Sequence, residues 1–198
     1  MAATLDFWFE FASTYSYPAA VRIAEHAQAR GVKLRWRVFL LGPIFKTQGW
    51  DNSPFNLYPA KGRYMWRDLE RICTALRLPF VQPKVFPQNT LLAARTALVA
   101  LKQDWGEDYC RSLYRAEFGE GRDIGKPENV AAVLTALGQD ADAVMAEAQS
   151  DAIKAALRAQ TAEAQRLGIF GAPSFTTADG ELFWGNDRLE AALEWAGR

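Results

Sequence analysis

Cysteine and histidine are scarce in this sequence of 198 residues, which contains two cysteines, Cys73 and Cys110, and one histidine, His26. A zinc site built from cysteine and histidine needs about four such ligands, so the composition excludes one. A Ser-His-Asp or Cys-His catalytic group would have to use His26. That residue falls in a charged, alanine-rich stretch typical of a helix, where a solvated histidine is commoner than a catalytic base.

The two cysteines also form no Cys-x-x-Cys pair. Each lies in a stretch with a helical pattern, RICTAL for Cys73 and DYCRSL for Cys110. A small buried side chain is the ordinary role of a cysteine in such a place. The sequence therefore does not indicate a disulfide framework.

Net charge and long apolar runs are absent as well. Lys plus Arg (23) balances Asp plus Glu (23), so the chain has no overall field to hold a phosphate backbone. The longest apolar run, LLAARTALVAL, is broken by Arg95 and is too short to cross a bilayer. The first residues, MAATLDFWFEF, carry Asp6 and Glu10 and do not resemble a signal peptide. We expect a cytoplasmic protein without nucleic-acid or membrane partners.

The composition that remains, 49% hydrophobic and 23% charged, is that of an ordinary globular domain. Residues 5–11 are apolar on both faces of a predicted strand. Residues 18–31 begin with proline and end with glycine, which is typical of a helix, and residues 33–39 alternate as a second strand. This order predicts a βαβ unit with parallel strands.

The middle of the chain has a different character. Proline and glycine crowd residues 41–62, which predicts an irregular segment with few regular elements. Helices are predicted at 62–77, 89–103, 105–118, 127–137, 140–149 and 151–167. Strand character returns at residue 169, with a turn at Asp179 and Gly180 and a final helix near Asp187. We predict an α/β domain (1–40 and 165–198) interrupted by an all-helical insertion (41–164).

Two features meet in this arrangement: the loop before the first helix, with Ser13 and Ser16, and the Gly-Ala-Pro-Ser turn around Pro173. Alone, a serine at a helix start is most often an N-cap, and a proline before a strand can be an ordinary trans edge-strand proline. Together they resemble the thioredoxin fold, in which Pro173 would be cis. The helical insertion resembles the DsbA-like branch of that fold.

In that branch the helix normally begins with Cys-x-x-Cys, and the matching positions here are Ser13 and Ser16. Hydroxyl groups neither form a disulfide nor leave from one, so dithiol redox chemistry is excluded. The start of a helix can still stabilise a thiolate that another molecule supplies, with the Ser13 hydroxyl as a donor to sulfur.

The loop FASTYSY resembles the Ser-Pro-Tyr-Ser-Tyr/Trp loop of kappa-class glutathione transferases and 2-hydroxychromene-2-carboxylate isomerases. Residues 183–189, FWGNDRL, closely match the γ-glutamyl site of the isomerase branch. The segments LGPIFKTQG, YPAKGRYMWRDLER, LPFVQPKVFPQN and GIFGAPSF extend the resemblance over essentially the whole chain. Thr14 stands where proline is usual, which leaves open how tightly the loop is pre-organised.

The resemblance implies glutathione as cofactor, with Ser13 holding and activating its sulfur. The implied glutathione-binding residues are Ser13, Lys61, Ala172, Pro173, Trp184, Gly185, Asn186 and Asp187. The implied substrate-binding residues are Lys46, Asn52, Asn56 and Asn89. A carboxylate at a helix start such as Asp187 can bind the γ-glutamyl ammonium, although it can also be a plain N-cap. Each loop residue taken alone is more often solvated than a ligand, and Lys46 is the clearest match for the carboxylate of an aromatic acid.

Five aromatic residues of the insertion are candidates either for an apolar pocket or for the core. They are Phe45, Trp50, Phe55, Tyr64 and Trp66. The leading hypothesis is a glutathione-dependent isomerase, a homodimer, that interconverts 2-hydroxychromene-2-carboxylate and trans-o-hydroxybenzylidenepyruvate by reversible thiolate addition. A kappa-like glutathione transferase and a non-catalytic thiol-binding module are the alternatives.

Overall fold

A four-stranded sheet lies at the centre of the computed structural model, which describes residues 3–198. The strands are β1 (Thr4–Phe9), β2 (Lys33–Val38), β3 (Ser174–Thr177) and β4 (Leu182–Trp184), in the order β2-β1-β3-β4. Strand β1 pairs parallel with β2 and antiparallel with β3, which pairs antiparallel with β4. The predicted parallel pair and the two late strands are confirmed, although β1 ends at Phe9 and not at residue 11.

Strand β1 is buried on both faces, as its composition predicts. Phe7 and Phe9 belong to the main core, where the Phe7 ring lies 5.6 Å from that of Phe175 on β3. Trp8 points to the opposite face and packs in a second apolar cluster with Phe39. Successive strand residues alternate sides, so only a strand covered on both faces buries all of these rings.

Helices make up the rest of the regular structure in the described residues. They are α1 (Ser16–Gln28), α2 (Leu41–Thr47), α3 (Pro54–Leu57), α4 (Pro59–Ala75), α5 (Leu91–Ala100), α6 (Gly106–Tyr114), α7 (Pro127–Ala136), α8 (Ala141–Ala148), α9 (Asp151–Arg166) and α10 (Leu189–Ala196). A π-helical turn, Arg115–Gly119, follows α6, and a 3-10 turn, Asn186–Arg188, precedes α10. The helices α2 to α9 all lie between β2 and β3, which confirms the α/β fold with a helical insertion. The division into domains stays a prediction, and its second boundary, at residues 164 and 165, falls inside α9.

The segment 41–62 is more helical than predicted, and the expectation of a mostly irregular excursion is wrong. Pro43 lies in the first turn of α2, and Pro54 and Pro59 are the first residues of α3 and α4. The first turn of a helix needs no proline N–H, and the fixed φ of proline suits it. These prolines therefore begin helices, whereas the composition alone suggested that they interrupt them.

The sheet brings two distant loops together. Because β3 runs antiparallel to β1, Trp8 near the end of β1 pairs with Ser174 at the start of β3. The loop of residues 10–15, which leads into α1, therefore lies beside the turn of residues 171–173, which leads into β3.

Candidate active site

A cavity of about 710 Å³ opens where these two loops meet. Sites for small ligands are typically about 300–1,000 Å³, so the cavity has a suitable size. The predicted site residues that line it are Ser13, Lys46, Asn52, Lys61, Asn89, Ala172, Trp184 and Gly185. The predicted residues that lie outside its lining are Asn56, Pro173, Asn186 and Asp187. The fold thus gathers most of the predicted site around one space.

Ser13 lies in the cavity wall, three residues before the first residue of α1. Its hydroxyl donates a hydrogen bond to the carbonyl oxygen of Ala172 at 2.8 Å, and its backbone N–H donates to the carbonyl of Glu10 at 3.0 Å. Helix α1 begins only at Ser16, and no side chain caps it at the N-cap residue Tyr15. Ser13 therefore does not adopt the ordinary N-cap role, because its hydroxyl reaches across to the β3 side.

The two serines of the loop differ in accessibility. Ser16 is fully buried, whereas Ser13 lines the cavity together with Thr14. The buried hydroxyl of Thr14 has no hydrogen-bond partner among residues 3–198. The first turn of α1 carries no acidic residue, so its positive dipole end is not offset locally. An anion beside Ser13, such as a thiolate, would be stabilised there.

The peptide bond between Ala172 and Pro173 is cis, as the resemblance implied. Ala172 lines the cavity, while the carbonyl of Pro173 accepts a hydrogen bond from the N–H of Gly185 at 2.9 Å. Pro173 therefore helps to position the cavity wall without being part of it. A second cis peptide, Phe86–Pro87, also lies in the wall and was not predicted.

Two glycines shape the wall around Trp184. A Cβ atom at Gly171 would overlap the indole nitrogen of Trp184, so the ring packs directly on the Gly171 backbone. Gly185 has φ +113°, and a Cβ there would overlap a carboxylate oxygen of Asp187. Trp184 is half-exposed, and its ring lies 4.9 Å from that of Phe170. The two rings give this side of the cavity an apolar rim.

Asn186 is buried and held by Arg22, a residue that sequence analysis did not single out. The Arg22 guanidinium donates to the backbone carbonyl of Asn186 at 2.6 Å and to its side-chain oxygen at 3.1 Å. The same guanidinium pairs with Glu190 on α10. Arg22 thus ties the Trp184–Asn186 segment to α1, and only the folded structure brings these residues together.

Asp187 does not cap the final helix, so the plain N-cap alternative is wrong. Helix α10 begins at Leu189, and its N-cap residue, Arg188, makes no side-chain cap. The Asp187 carboxylate is exposed and lies 3.1 Å from the Arg188 guanidinium. Burial and a hydrogen bond to Asp68 raise the pKa of the Tyr15 phenol, which lies in the cavity wall. The negative charge of Asp187 contributes less to the same shift.

Lys46 and Lys61 place positive charge on the cavity wall. Lys46 lies in the last turn of α2 and Lys61 in the first turn of α4, and both are exposed. The Lys61 ammonium lies 4.8 Å from the centre of the Tyr58 ring, a cation–π contact that restrains it. Asp51 is an acid on the same wall. The two lysines can attract the carboxylates of a ligand.

The predicted asparagines are engaged with the protein. The side-chain oxygen of Asn52 accepts hydrogen bonds from a backbone N–H at 2.7 Å and from the Asn56 amide at 3.1 Å. Asn56 also donates to the carbonyl of Phe86 at 3.0 Å, so it ties two loops together. The oxygen of Asn89 accepts the N–H of the first residue of α5 at 3.1 Å. The amide groups of Asn52 and Asn89 retain N–H donors for a ligand.

Three of the five aromatic candidates form part of the cavity. Phe45, Trp50 and Phe55 line it, and the rings of Phe45 and Trp50 lie 5.7 Å apart. Trp66 packs against the main core instead, and Tyr64 is exposed outside the cavity. These three rings therefore come from the segment 45–55, which runs from α2 into α3.

Glu10 is a cavity residue that sequence analysis did not single out. It is only 5% exposed, it lines the cavity, and its carboxylate accepts a hydrogen bond from the Thr90 hydroxyl. Burial raises the pKa of Glu10 to about 7, against the lowering effect of Thr90 and of a hydrogen bond from the Ala12 backbone. The available signal was a carboxylate directly after the strongly apolar residues 7–9 of β1.

The cysteines and the histidine lie away from the cavity. Cys73 and Cys110 are buried and unpaired, as predicted. Burial raises the pKa of the Cys73 thiol to about 11 and that of Cys110 well above its ordinary value, which makes both unreactive. His26 lies on α1, with its ring 3.8 Å from Glu190. The cavity has neither a thiol nor an imidazole of its own.

Two further features are absent from the described residues. Every helix within residues 3–198 is too short or too polar to span a membrane. The same residues contain no group of three or more His, Cys, Asp or Glu side chains that could hold a metal ion.

Known proteins resemble the chain over nearly its whole length. The DSBA-like thioredoxin domain matches residues 4–194. A 2-hydroxychromene-2-carboxylate isomerase from Sphingobium xenophagum is 32% identical over 192 residues, which cover 96% of each chain. Glutathione S-transferase kappa 1 from Homo sapiens is 27% identical over 200 residues, covering 94% of this chain and 88% of its own.

Solved structures agree with these relatives. A 2-hydroxychromene-2-carboxylate isomerase structure superposes with a TM-score of 0.87 at 28% identity, over 98% of this chain and 95% of the other. Both groups of relatives are named as enzymes, an isomerase and a transferase. The chain therefore belongs to the DsbA-like thioredoxin family, in the group related to 2-hydroxychromene-2-carboxylate isomerases and kappa-class glutathione transferases.

Proposed function

We propose that this protein is a glutathione-dependent isomerase that interconverts 2-hydroxychromene-2-carboxylate and trans-o-hydroxybenzylidenepyruvate in the breakdown of aromatic compounds. The observation that carries the proposal is Ser13 on the cavity wall, beside the start of α1 and the cis Ala172–Pro173 peptide, in a chain whose own thiols are buried elsewhere. Such a site can stabilise a thiolate but has none to offer. The 32% identity to an isomerase of this name supports the choice of reaction.

The residues around the cavity fit glutathione. The Ser13 hydroxyl and the unpartnered Thr14 hydroxyl offer hydrogen bonds near the start of α1, where a thiolate would lie. Lys61 offers a cation for the glycyl carboxylate. The backbone of residues 184–186 and the exposed Asp187 carboxylate would receive the carboxylate and ammonium of the γ-glutamyl end.

Glutathione held by these residues would supply the thiolate for a reversible addition to a conjugated double bond, and loss of the π bond would allow rotation. Ser13 is placed to support this charge, because its hydroxyl can turn from the Ala172 carbonyl toward a negative sulfur. The same turn frees the Ala172 carbonyl to accept an N–H from the tripeptide backbone. The Ser13 hydroxyl would thus donate to the Ala172 carbonyl before glutathione binds and to the sulfur afterwards.

The part of the cavity that α2 and α3 build suits an aromatic acid. Phe45, Trp50 and Phe55 provide the apolar wall for a ring. Lys46 would hold the substrate carboxylate, or the negative charge that develops during the reaction. The amides of Asn52 and Asn89 would add hydrogen bonds, and Asn56 would act only by positioning Asn52.

The test is to mix the protein with glutathione and the chromene carboxylate and to follow the absorbance of the ring-opened product. We expect turnover while the concentration of glutathione stays constant. Stoichiometric loss of glutathione would instead identify a kappa-like transferase, the candidate supported by 27% identity to the human enzyme. Thermal stabilisation by glutathione without any reaction would identify a non-catalytic thiol-binding module.

We also propose a homodimer, on the strength of the family resemblance. Light scattering should then give twice the chain mass of 22.1 kDa. A particle with the mass of one chain would contradict it. The cytoplasmic location stays a prediction.

A further inference from the structure

We propose that Glu10 is the proton-exchanging residue of the cavity. Its carboxylate takes up the proton that a thiol loses on binding beside Ser13: the S–H bond breaks, an O–H bond forms on Glu10, and the electron pair stays on sulfur. The inference rests on the proposed function only in requiring that glutathione binds in this cavity. The isomerase step itself is not needed for it.

Glu10 lies three residues before Ser13, in the loop that carries the proposed thiolate position. Glu10 and Ser13 line the same cavity, and the backbone N–H of Ser13 donates to the Glu10 carbonyl at 3.0 Å. The Tyr114 hydroxyl donates to the same carbonyl at 2.9 Å, so two hydrogen bonds fix the backbone of Glu10. The Thr90 hydroxyl, which belongs to another segment of the cavity lining, donates to the Glu10 carboxylate and fixes its orientation.

The groups that face Glu10 do not neutralise it. From the loop before α5 it meets the neutral Thr90, and from the α6 side it meets Tyr114 and Glu117. Burial, the charge of Glu10 and then that of Asp123 raise the pKa of Glu117 well above its ordinary value, which favours the neutral form of this neighbour. The charged groups elsewhere on the cavity wall are Lys46, Lys61 and Asp51.

The carboxyl of Glu10 can therefore change charge near neutral pH. Its pKa is raised to about 7 by burial, and a group with such a value can both accept and return a proton in that range. Two negative charges in one cavity disfavour each other, so a thiolate beside Ser13 favours the protonated form of Glu10. The thiol proton then stays inside the protein and is not released to solvent.

Proton release on glutathione binding tests this transfer. Titration calorimetry in buffers of different ionisation enthalpy counts the protons, and absorbance near 240 nm reports the thiolate. At about pH 6, where Glu10 already carries a proton, we expect about one proton released per site. At about pH 8 we expect almost none, although the thiolate absorbance is present.

Glu10→Gln removes the internal acceptor and keeps the size of the side chain. In this variant the difference in proton release between the two pH values should disappear. Glu117→Gln is the matched control, because this buried carboxyl does not line the cavity, and it should keep the difference. Should Glu10→Gln fail to fold, Thr90→Val serves: it removes a hydrogen bond that lowers the pKa of Glu10, so the change in proton release should move to higher pH.

The outcomes separate the two proposals. Thiolate formation with about one proton released at both pH values would overturn the role of Glu10 and leave glutathione binding intact. Binding without thiolate absorbance would overturn it as well. An absence of any binding heat and of thermal stabilisation would overturn the proposed function, and the role of Glu10 with it.

Discussion

The hydroxyl of Ser13 and the carbonyl of Ala172 form a hydrogen bond of 2.8 Å that joins two loops 159 residues apart in the sequence. It places one hydroxyl between the start of α1 and the cis-proline turn. A serine so placed can donate to an anion in the cavity by a single rotation about its side chain. Loss of this hydroxyl should therefore affect catalysis.

Ser13→Ala should lower the rate of the glutathione-dependent reaction by about tenfold to a thousandfold, because a donor to developing charge is lost. Initial rates at saturating glutathione measure the effect. Ser16→Ala is the matched control, since Ser16 is fully buried and does not line the cavity, and it should change the rate little. Equal rates for the wild type and Ser13→Ala would contradict the assignment of Ser13.

Substitution of each cavity lysine should affect the KM of a different ligand. Lys46→Met should raise the KM for the aromatic acid about tenfold or more and leave the KM for glutathione nearly unchanged, because one charge-assisted hydrogen bond is lost. Lys61→Met should do the reverse. Steady-state kinetics with each ligand varied in turn measure both values. The same effect on both ligands from either variant would show that the lysines act only through a general field.

Arg22→Met should weaken both stability and glutathione binding. It leaves the buried carbonyl and side-chain oxygen of Asn186 without their donor, which costs about 1–3 kcal/mol of unfolding free energy. Urea unfolding measures the first effect and calorimetry the second. Arg166→Met, which removes an exposed pair with Glu163, should change neither. If Arg22→Met binds glutathione as tightly as the wild type, the 184–186 segment does not need this support.

The buried carboxyl of Glu10 should make stability depend on pH. Its pKa rises from 4.5 in the unfolded chain to about 7 in the folded protein, so the folded state keeps a proton that the unfolded state has lost. This proton adds about 3 kcal/mol to the free energy of unfolding. The added stability is fully present below pH 4.5 and is lost as pH rises through about 7. Glu10→Gln should flatten the pH dependence of the unfolding free energy by that amount. An unchanged slope would contradict the raised pKa, and Asp151→Asn, at a fully exposed carboxyl, should keep the wild-type slope.

Much of the fold could be predicted from local patterns. The alternation of residues 33–39, the apolar run of β1 and the proline and glycine at the ends of the segment 18–31 each depend on neighbouring residues, and the structure has β2, β1 and α1 at these places. The prolines of the segment 41–62 were misjudged because the same residue breaks a helix interior and suits a helix start. Their role depends on the position within a helix, which composition does not show.

The site was predictable where a motif carried it and not elsewhere. Ser13 and the cis Pro173 turn follow from the two loops and the resemblance, and the structure places them together. Arg22 carries no motif, because an arginine on a helix is usually solvated, and only the fold sets it against Asn186. Asp187 had the residue type of an N-cap, but the 3-10 turn before α10 moves the helix start past it.

The sequence by itself determined the fold class, the helical insertion and the lack of a Cys-x-x-Cys pair at the start of the first helix, because element patterns and residue identities are local properties. Only the tertiary structure decided that the Ser13 hydroxyl bonds to Ala172 and that Glu10 meets Thr90, 80 residues away. It also decided the proton affinity of Glu10, because a carboxyl group is an ordinary acid in water and a weak one once burial removes the water that stabilises its charge.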